Sequence, residues 1–403
     1  MRPFLSLAII SLLTLACTSS ETTKLKAGNY RGIFKVQDNE ILNFIFKVNN
    51  EESLELINAD EVIEVEEITY SNDSVYMYFP YFRTYIAAKF EGNNLVGQFI
   101  EEDRDRFVDF KAFYNEGVRF PKAEKGKFQV GGIWEMDFDN YGKFYKAKGV
   151  FEEQEGRVTG TIRTTTGDYR FLEGVVDKDT LKLTTFDAAH LFYFKGVIKD
   201  SVISDGIFYS GNHSRETFTA KRNGTYELPD SNSLTFLKEG FDKFDFSFPD
   251  VDGNMVSLSD ERFKNKVVLV QIMGSYCPNC LDESKFYSKY YSDLNNDNLE
   301  IVALAFENAK TEEKAIHGIE RMRDRVGINY PILLAQLGTN SKTKANEKLP
   351  MLNHVLSYPT TIYLDKKGEV RRIHTGFNGP ATGKKYLEFK EEFEQFVNLL
   401  LNE

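Results

Sequence analysis

Two cysteines spaced two residues apart, Cys277 and Cys280 in the stretch GSYCPNC, are the residues of this chain best suited to chemistry. A Cys-x-x-Cys pair can supply half of a metal site, close a structural staple, or cycle between dithiol and disulfide. The cysteine count separates these options. Among 403 residues there are three cysteines, and the third, Cys17, closes an apolar leader-like stretch. A zinc site would need two more nitrogen or sulfur ligands at plausible spacing. The five histidines, at 190, 213, 317, 354 and 374, contain no pair with that spacing, so no metal is expected. A bridge across so short a loop would restrict the unfolded chain little. Redox exchange is the chemistry left, with the Cys277–Cys280 disulfide itself as the active group and no other cofactor.

The elements that must position this pair are legible around it. KVVLVQIM (266–273) is a continuous apolar run of the buried-strand type. CPNCLDESKFYSKYYSDL reads as a helix with Leu281, Phe286, Tyr290 and Leu294 near one face. Cys277 therefore opens a helix, where backbone N–H groups and the helix dipole favour an anion and lower a thiol's pKa. Pro278 suits the first helical position, where a missing N–H costs little. Cys280 lies one turn in and less exposed, so Cys277 attacks and Cys280 resolves. LEIVALAFE (299–307) is a second buried strand, TEEKAIHGIERMRDRVG (311–327) a helix, and YPILLA, TTIYLD and VRRIHT short strands. KKYLEFKEEFEQFVNLLL closes the chain as an amphipathic helix, which makes residues 242–403 an α/β domain with a central sheet.

The preceding residues follow another pattern. YRGIFKV, LNFIFKV, SVYMYFP and TYIAAKF alternate apolar and polar positions between Asn, Asp and Gly clusters. EGNNLVGQF, EEQEGRVTGTI and VVDKDTLKLTTF read as hairpins. Residues 24–228 are expected to be all-β and antiparallel, a barrel or sandwich, with a weak echo between 24–121 and 122–225 and a linker at 229–241. Asp168, Arg170, Asp187 and His190 cluster at expected turns, and turn chemistry accounts for the aspartates. The net charge of −11 argues against nucleic acid as a partner. Residues 1–17, MRPFLSLAIISLLTLAC, have the charge and apolar run of a signal peptide and end on a lipobox-like cysteine, with Thr14 where such boxes usually carry Leu. Cys17 is thus the expected lipid anchor, which would place the protein on the periplasmic side of the cell envelope, at the inner or outer membrane.

FDFSFPDVDGNMVSLSDERFKNKVVLV, GSYCPNC and SYPTTIYLDKKGEV make residues 242–403 resemble the thioredoxin superfamily, in particular its TlpA/ResA-like, AhpC/TSA-related extracytoplasmic thiol–disulfide oxidoreductases. The resemblance implies a cis-proline at Pro359 facing the disulfide. The backbone of Tyr358 before it would pair with an extended polypeptide, and Tyr276 would be an aromatic cover where relatives carry Trp. It assigns Glu283 the tuning carboxylate. Six residues before Cys277 relatives carry a buried Asp or Asn, and here Gln271 stands there. A neutral amide takes no proton from Cys280, so Glu283, or Glu307, must serve; Glu307 otherwise reads as a solvated strand-end acid. His354 and His374 flank the Pro359 strand as loop or surface residues, and HTGFNGPATG (374–383) as a site-flanking loop. The implied function is reduction or rearrangement of disulfides in exported proteins, fed by an upstream electron donor. Two alternatives stay open. One is a thiol peroxidase of the AhpC/TSA type, although Val270 and Gly274 occupy the Pro and Ser/Thr places of a peroxide cradle. The other is a binding function of the β region with the redox domain as adaptor.

Overall fold

The computed structural model of the chain describes residues 23–403, so the signal-peptide reading and Cys17 lie outside the described residues. From Gly28 to Tyr114 nine antiparallel strands form one sheet, with Glu61–Val65 at one edge and Glu67–Ser71 at the other. Glu66 alone separates these two strands in the chain, so the sheet curls back on itself into a barrel-like form. Its strands obey the two-residue period: in Ser53–Asn58, Leu54, Leu56 and Asn58 are buried while the residues between them are half-buried.

A second nine-stranded antiparallel sheet runs from Gly132 to Arg222. Strand Lys143–Gln154 pairs with both Gly132–Asn140 and Arg157–Thr164, which closes all but one strand into a ring and removes the exposed edges. The exception is the two-residue strand Gly167–Asp168, which hangs on the end of Arg157–Thr164. Trp134, the sole tryptophan, is buried here and its Nε1–H donates to the carbonyl of Val130 at 2.7 Å.

In the C-terminal domain a five-stranded sheet has the order β3-β2-β1-β4-β5, where β1 is Val267–Met273, β2 Leu299–Phe306, β3 Ile332–Gln336, β4 Thr360–Leu364 and β5 Val370–Thr375. β1, β2 and β3 are parallel, and β4 and β5 run antiparallel to their neighbours. β1 and β2 are buried along their whole length, as expected of parallel strands covered on both faces. Four helices accompany them: α1 (Pro278–Leu294), α2 (Glu312–Val326), α3 (Lys342–Lys348) and α4 (Lys384–Asn402). Phe286 and Tyr287 of α1 pack on Phe393 of α4, with ring centroids 5.0 and 5.3 Å apart. α2 begins on a Thr311 cap and stops at Gly327, whose φ of 74° is the left-handed conformation that favours glycine.

The expected apolar face of α1 needs correction. Phe286, Tyr290 and Leu294 are only partly buried, and the deeply buried face carries Cys280, Leu281, Glu283, Ser284 and Tyr287. Polar side chains can occupy that face because they bond to one another and to the sheet, as described below.

The three units are packed together. Buried apolar residues of the first barrel and of the C-terminal domain belong to one continuous cluster, whereas the second barrel also encloses a core of its own. Arg321 on α2 donates to the carbonyl of Phe79 at 2.8 Å and pairs with Glu67 at 2.9 Å, both in the first barrel. Residues 229–241 lie against the C-terminal domain: Leu237 bridges to Leu352, and Thr375 bonds to Thr235 at 2.8 Å. Among the described residues no helix is long and apolar enough to cross a membrane.

Candidate active site

Cys277 caps the N-terminus of α1, with Pro278 at the first helical position, and its Sγ accepts the N–H of Cys280 at 3.3 Å. The same sulfur lies 3.5 Å from the carbonyl oxygen of Tyr358. The Tyr358–Pro359 peptide bond is cis. Both cysteines are free thiols, Cys277 half-buried and Cys280 fully buried. Burial pushes both thiols up. For Cys277 that push is outweighed by hydrogen bonds from the thiol and N–H of Cys280 and by the positive charge of Lys342, so it sits below the ordinary thiol value. Cys280, buried and facing the sulfur of Cys277 and the charge of Glu283, is held well above it. The two sulfurs are thus electrostatically unequal, the outer one poised to attack and the inner one to hold its proton.

The acid whose charge bears on the inner thiol is Glu283, one turn further along α1 and fully buried. Gln271 of β1 donates to one carboxylate oxygen at 2.8 Å, and Tyr287 and Thr361 donate to the other at 3.2 and 3.1 Å. Burial raises its pKa to about 7 although these three donors pull the other way. Gln271, fully buried, also accepts from Ser284 at 3.1 Å. The amide at the position of the usual acid therefore holds a carboxylate delivered from the helix. Glu283 is accordingly no helix-surface acid. Glu307, expected as a solvated strand-end acid, is buried instead; it accepts from the N–H and hydroxyl of Ser275 at 2.7 and 2.8 Å, and burial raises its pKa to about 7. Its partner is the segment leading into the cysteines. His354 and His374 are tied to Leu234 and Asn232, and His374 is half-buried within β5, which corrects its reading as a loop or surface residue.

One residue the sequence did not single out is Lys342, at the start of α3. Its ammonium sits over the ring of Tyr358, on the wall of the cavity that exposes Cys277, and makes no hydrogen bond or ion pair among the described residues. Burial lowers its pKa to about 7, against the pull of the two cysteine sulfurs. It lies in the polar run NSKTKANEK, which offers no periodicity or motif to mark it.

The second barrel reaches this site. Asn279, inside the Cys-x-x-Cys turn, donates to the carbonyl of Asp168 at 3.1 Å, and Ser357 donates to the carbonyl of Thr166 at 2.7 Å. The flanking loop 374–383 takes part, since Gly379 N–H donates to Asp168 at 2.8 Å and Asn378 accepts from Arg163 at 2.8 Å. The reading of Asp168, Arg170, Asp187 and His190 as turn residues is incomplete. Asp168 does cap its own turn through the N–H of Arg170, but Arg170 is a buried hub. Its guanidinium pairs with Asp282 of α1, with Glu61 of the first barrel and, at 3.6 Å, with Asp187, and it donates to the carbonyl of Pro278 at 3.3 Å. Asp187 also bonds to His190 at 3.1 Å; burial alone would raise it, but His190 and Arg170 hold it down at about 2.

Where the barrel meets the redox turn there is no room for a side chain. A Cβ on Gly167, whose φ is +139°, would stand 2.1 Å from Nδ2 of Asn279. Gly167→Ala should therefore lower the unfolding free energy by about 1–3 kcal/mol in a urea titration, and an unchanged midpoint would show that the loop yields freely.

Residues 239–387 match the Redoxin family. Thioredoxin-like protein YneN of Bacillus subtilis is 29% identical over 186 residues, 46% of this chain and 91% of its own length. Thiol-disulfide oxidoreductase ResA of Halalkalibacterium halodurans is 27% identical over 147 residues, 35% of this chain and 71% of its own. Among solved structures, a thiol-disulfide oxidoreductase from Bacteroides fragilis is 23% identical, covers 37% of this chain and 99% of its own, and superposes with a TM-score of 0.27.

Proposed function

We propose, from a chain whose C-terminal domain belongs to the TlpA/ResA-like branch of the thioredoxin superfamily, that the protein is a thiol–disulfide oxidoreductase whose working group is the Cys277–Cys280 pair. The observation that carries this reading is the unequal pair itself: an outer thiol below its ordinary value at a helix N-terminus, facing Tyr358, and an inner buried thiol held above it. The Cys277 thiolate attacks one sulfur of a substrate disulfide; a Cys277–substrate bond forms, the substrate S–S bond breaks, and the departing thiolate takes up a proton. Cys280 then gives its proton to Glu283, directly or through one water, and attacks Cys277. The substrate leaves as a dithiol carrying two electrons more, and Cys277–Cys280 is left as a disulfide to be reduced by an upstream donor. Glu307 acts as a positioning residue for Ser275 and Tyr276, and Tyr358 offers its backbone to the incoming chain.

The substrates are exported thiol or disulfide proteins, met at the periplasmic face of a membrane to which a lipid on Cys17 tethers the chain. What supports this placement is the apolar run Phe4–Leu15 followed by Cys17. The experiment follows the pair: Cys280→Ser should accumulate mixed disulfides through Cys277, and Cys277→Ser should lose insulin reduction by at least about a thousandfold, the nucleophile being gone. Insulin reduction by Cys277→Ser at the wild-type rate would sink the reading.

A further inference from the structure

Cys277 opens into a cavity of about 540 Å³ whose far side is built by the second barrel. Six rings border it: Tyr276 and Tyr358 from the redox domain and Tyr145, Tyr169, His190 and Phe192 from the barrel. The barrel rings are held as a rigid wall. His190 stacks on Phe192 with centroids 4.4 Å apart, Tyr169 packs edge-on to Phe192 at 5.3 Å, and the hydroxyls of Tyr145 and Tyr169 lie 3.0 Å apart. The acid at the back of this wall, Glu216, is already occupied, accepting from Tyr145 at 2.6 Å and from Asn140 at 3.0 Å. Loop 164–168 is pinned to Ser357 and Asn279, so it closes the flank beside the cis-proline turn. The remaining approach to the sulfur runs between the rings and the polar side chains of Arg104, Asn340 and Lys342.

Resting on the oxidoreductase reading, we propose that the second barrel is a substrate-recognition element: its aromatic wall takes an apolar or aromatic side chain next to the disulfide-bonded cysteine of an extended peptide segment. The size of the cavity suits a few residues and not the face of a folded domain. The reactive sulfur in its wall identifies a cysteine as one of those residues. The neighbouring rings then bury whatever side chain stands beside it, in offset or edge-on contact. Capture of the peptide forms the Cys277–S–S–peptide bond as the peptide's own disulfide breaks and its other half leaves as a thiol; no further redox partner is needed for this half-reaction.

The test uses the full-length, pre-reduced protein and symmetric disulfides of the peptides Gly-Gly-Cys-X-Gly-Gly with X as Phe, Ala or Asp. Each rate is divided by that same protein's rate with bis(2-hydroxyethyl) disulfide. Wild type should prefer the Phe peptide to the Ala peptide about tenfold, from the burial of one ring; the Asp peptide reads separately the pull of Lys342 and Arg104 on the same wall. Tyr169→Ala, and the milder Phe192→Leu in case the first fails to fold, should bring the Phe/Ala ratio down toward one. Equal rates for all three peptides, or a preference untouched in both variants, overturn the recognition wall and leave the redox pair standing. Hydroxyethyl disulfide outpacing every peptide overturns the peptide as occupant in favour of a small disulfide. A wild type inert to hydroxyethyl disulfide as well removes the oxidoreductase reading and this one with it.

Discussion

Replacing Arg170 with methionine is expected to cost about 3–5 kcal/mol of stability, the largest single effect outside the cysteines, because it strands buried carboxylates without their cation. Arg170 is buried, and Asp282, Glu61, Asp187 and Asp168 all raise its pKa against the opposing effect of burial. With a methyl thioether in its place, Asp282 and Glu61 lose their ion pair and Asp187 keeps only His190. Burial already raises Asp282 to about 6 beside Arg170, and without the guanidinium it acts with less opposition on Asp282 and Asp187, pushing both upward. Stability from such a group is present at low pH and is lost as pH climbs through the raised value. The deficit of Arg170→Met should therefore be greatest near neutral pH and shrink toward pH 4, and Arg170→Lys should recover part of it. Urea titrations across that range measure both. A deficit below about 1 kcal/mol, or one indifferent to pH, would mean that the hub contributes only packing.

The second large effect concerns Glu283. Glu283→Gln should slow the attack of Cys280 on the mixed disulfide by about a hundredfold, the usual contribution of a positioned base. Alkylation of Cys277 should hardly change, since Lys342 and the helix N-terminus are untouched. The wild-type resolution rate should rise as pH passes about 7, where the carboxylate loses its proton and can accept one from Cys280. In the variant that inflection disappears, and the rate rises only as the Cys280 thiol itself ionises, well above the ordinary thiol value. Stability gives an independent sign. Because the folded-state pKa of Glu283 is raised, its favourable contribution is complete below the unfolded value and is lost as pH climbs through about 7. The glutamine variant should therefore show a flatter stability profile and match or exceed wild type above pH 7. Rapid-quench trapping of the Cys277 adduct reads the kinetic half; a wild-type resolution rate in the variant would return the question to Glu307.

Much of this site was readable from local signals. A strand running into Cys-Pro-x-Cys, a proline at the first helical position and alternating strands in the first half of the chain all follow from spacings of a few residues, and the fold carries them as expected. What escaped was non-local. Apolar periodicity assigned the buried face of α1 to Leu281, Phe286, Tyr290 and Leu294; Glu283 was singled out by resemblance alone, and its burial on that face depends on donors at positions 271 and 361. Arg170 looked like a turn residue because its partners stand at 61, 187 and 282, each of them ordinary on its own. Lys342 gave no signal at all, since its place beside Cys277 is set by how α3 packs under Tyr358.

The contact between loop 164–168 and the redox turn also bears on how this protein can diverge. Hairpin tips are ordinarily where a lineage gains and loses residues at little cost, since they project into water. This one is gripped from two sides. A Cβ on Gly167 would strike Asn279, and one on Gly376 would stand 3.0 Å from the backbone of residues 165 and 166. An insertion there, neutral in most barrels, would be felt beside Cys277. The barrel and the redox domain must therefore drift together, and recombination that exchanged either one alone would break the seam at its tightest point.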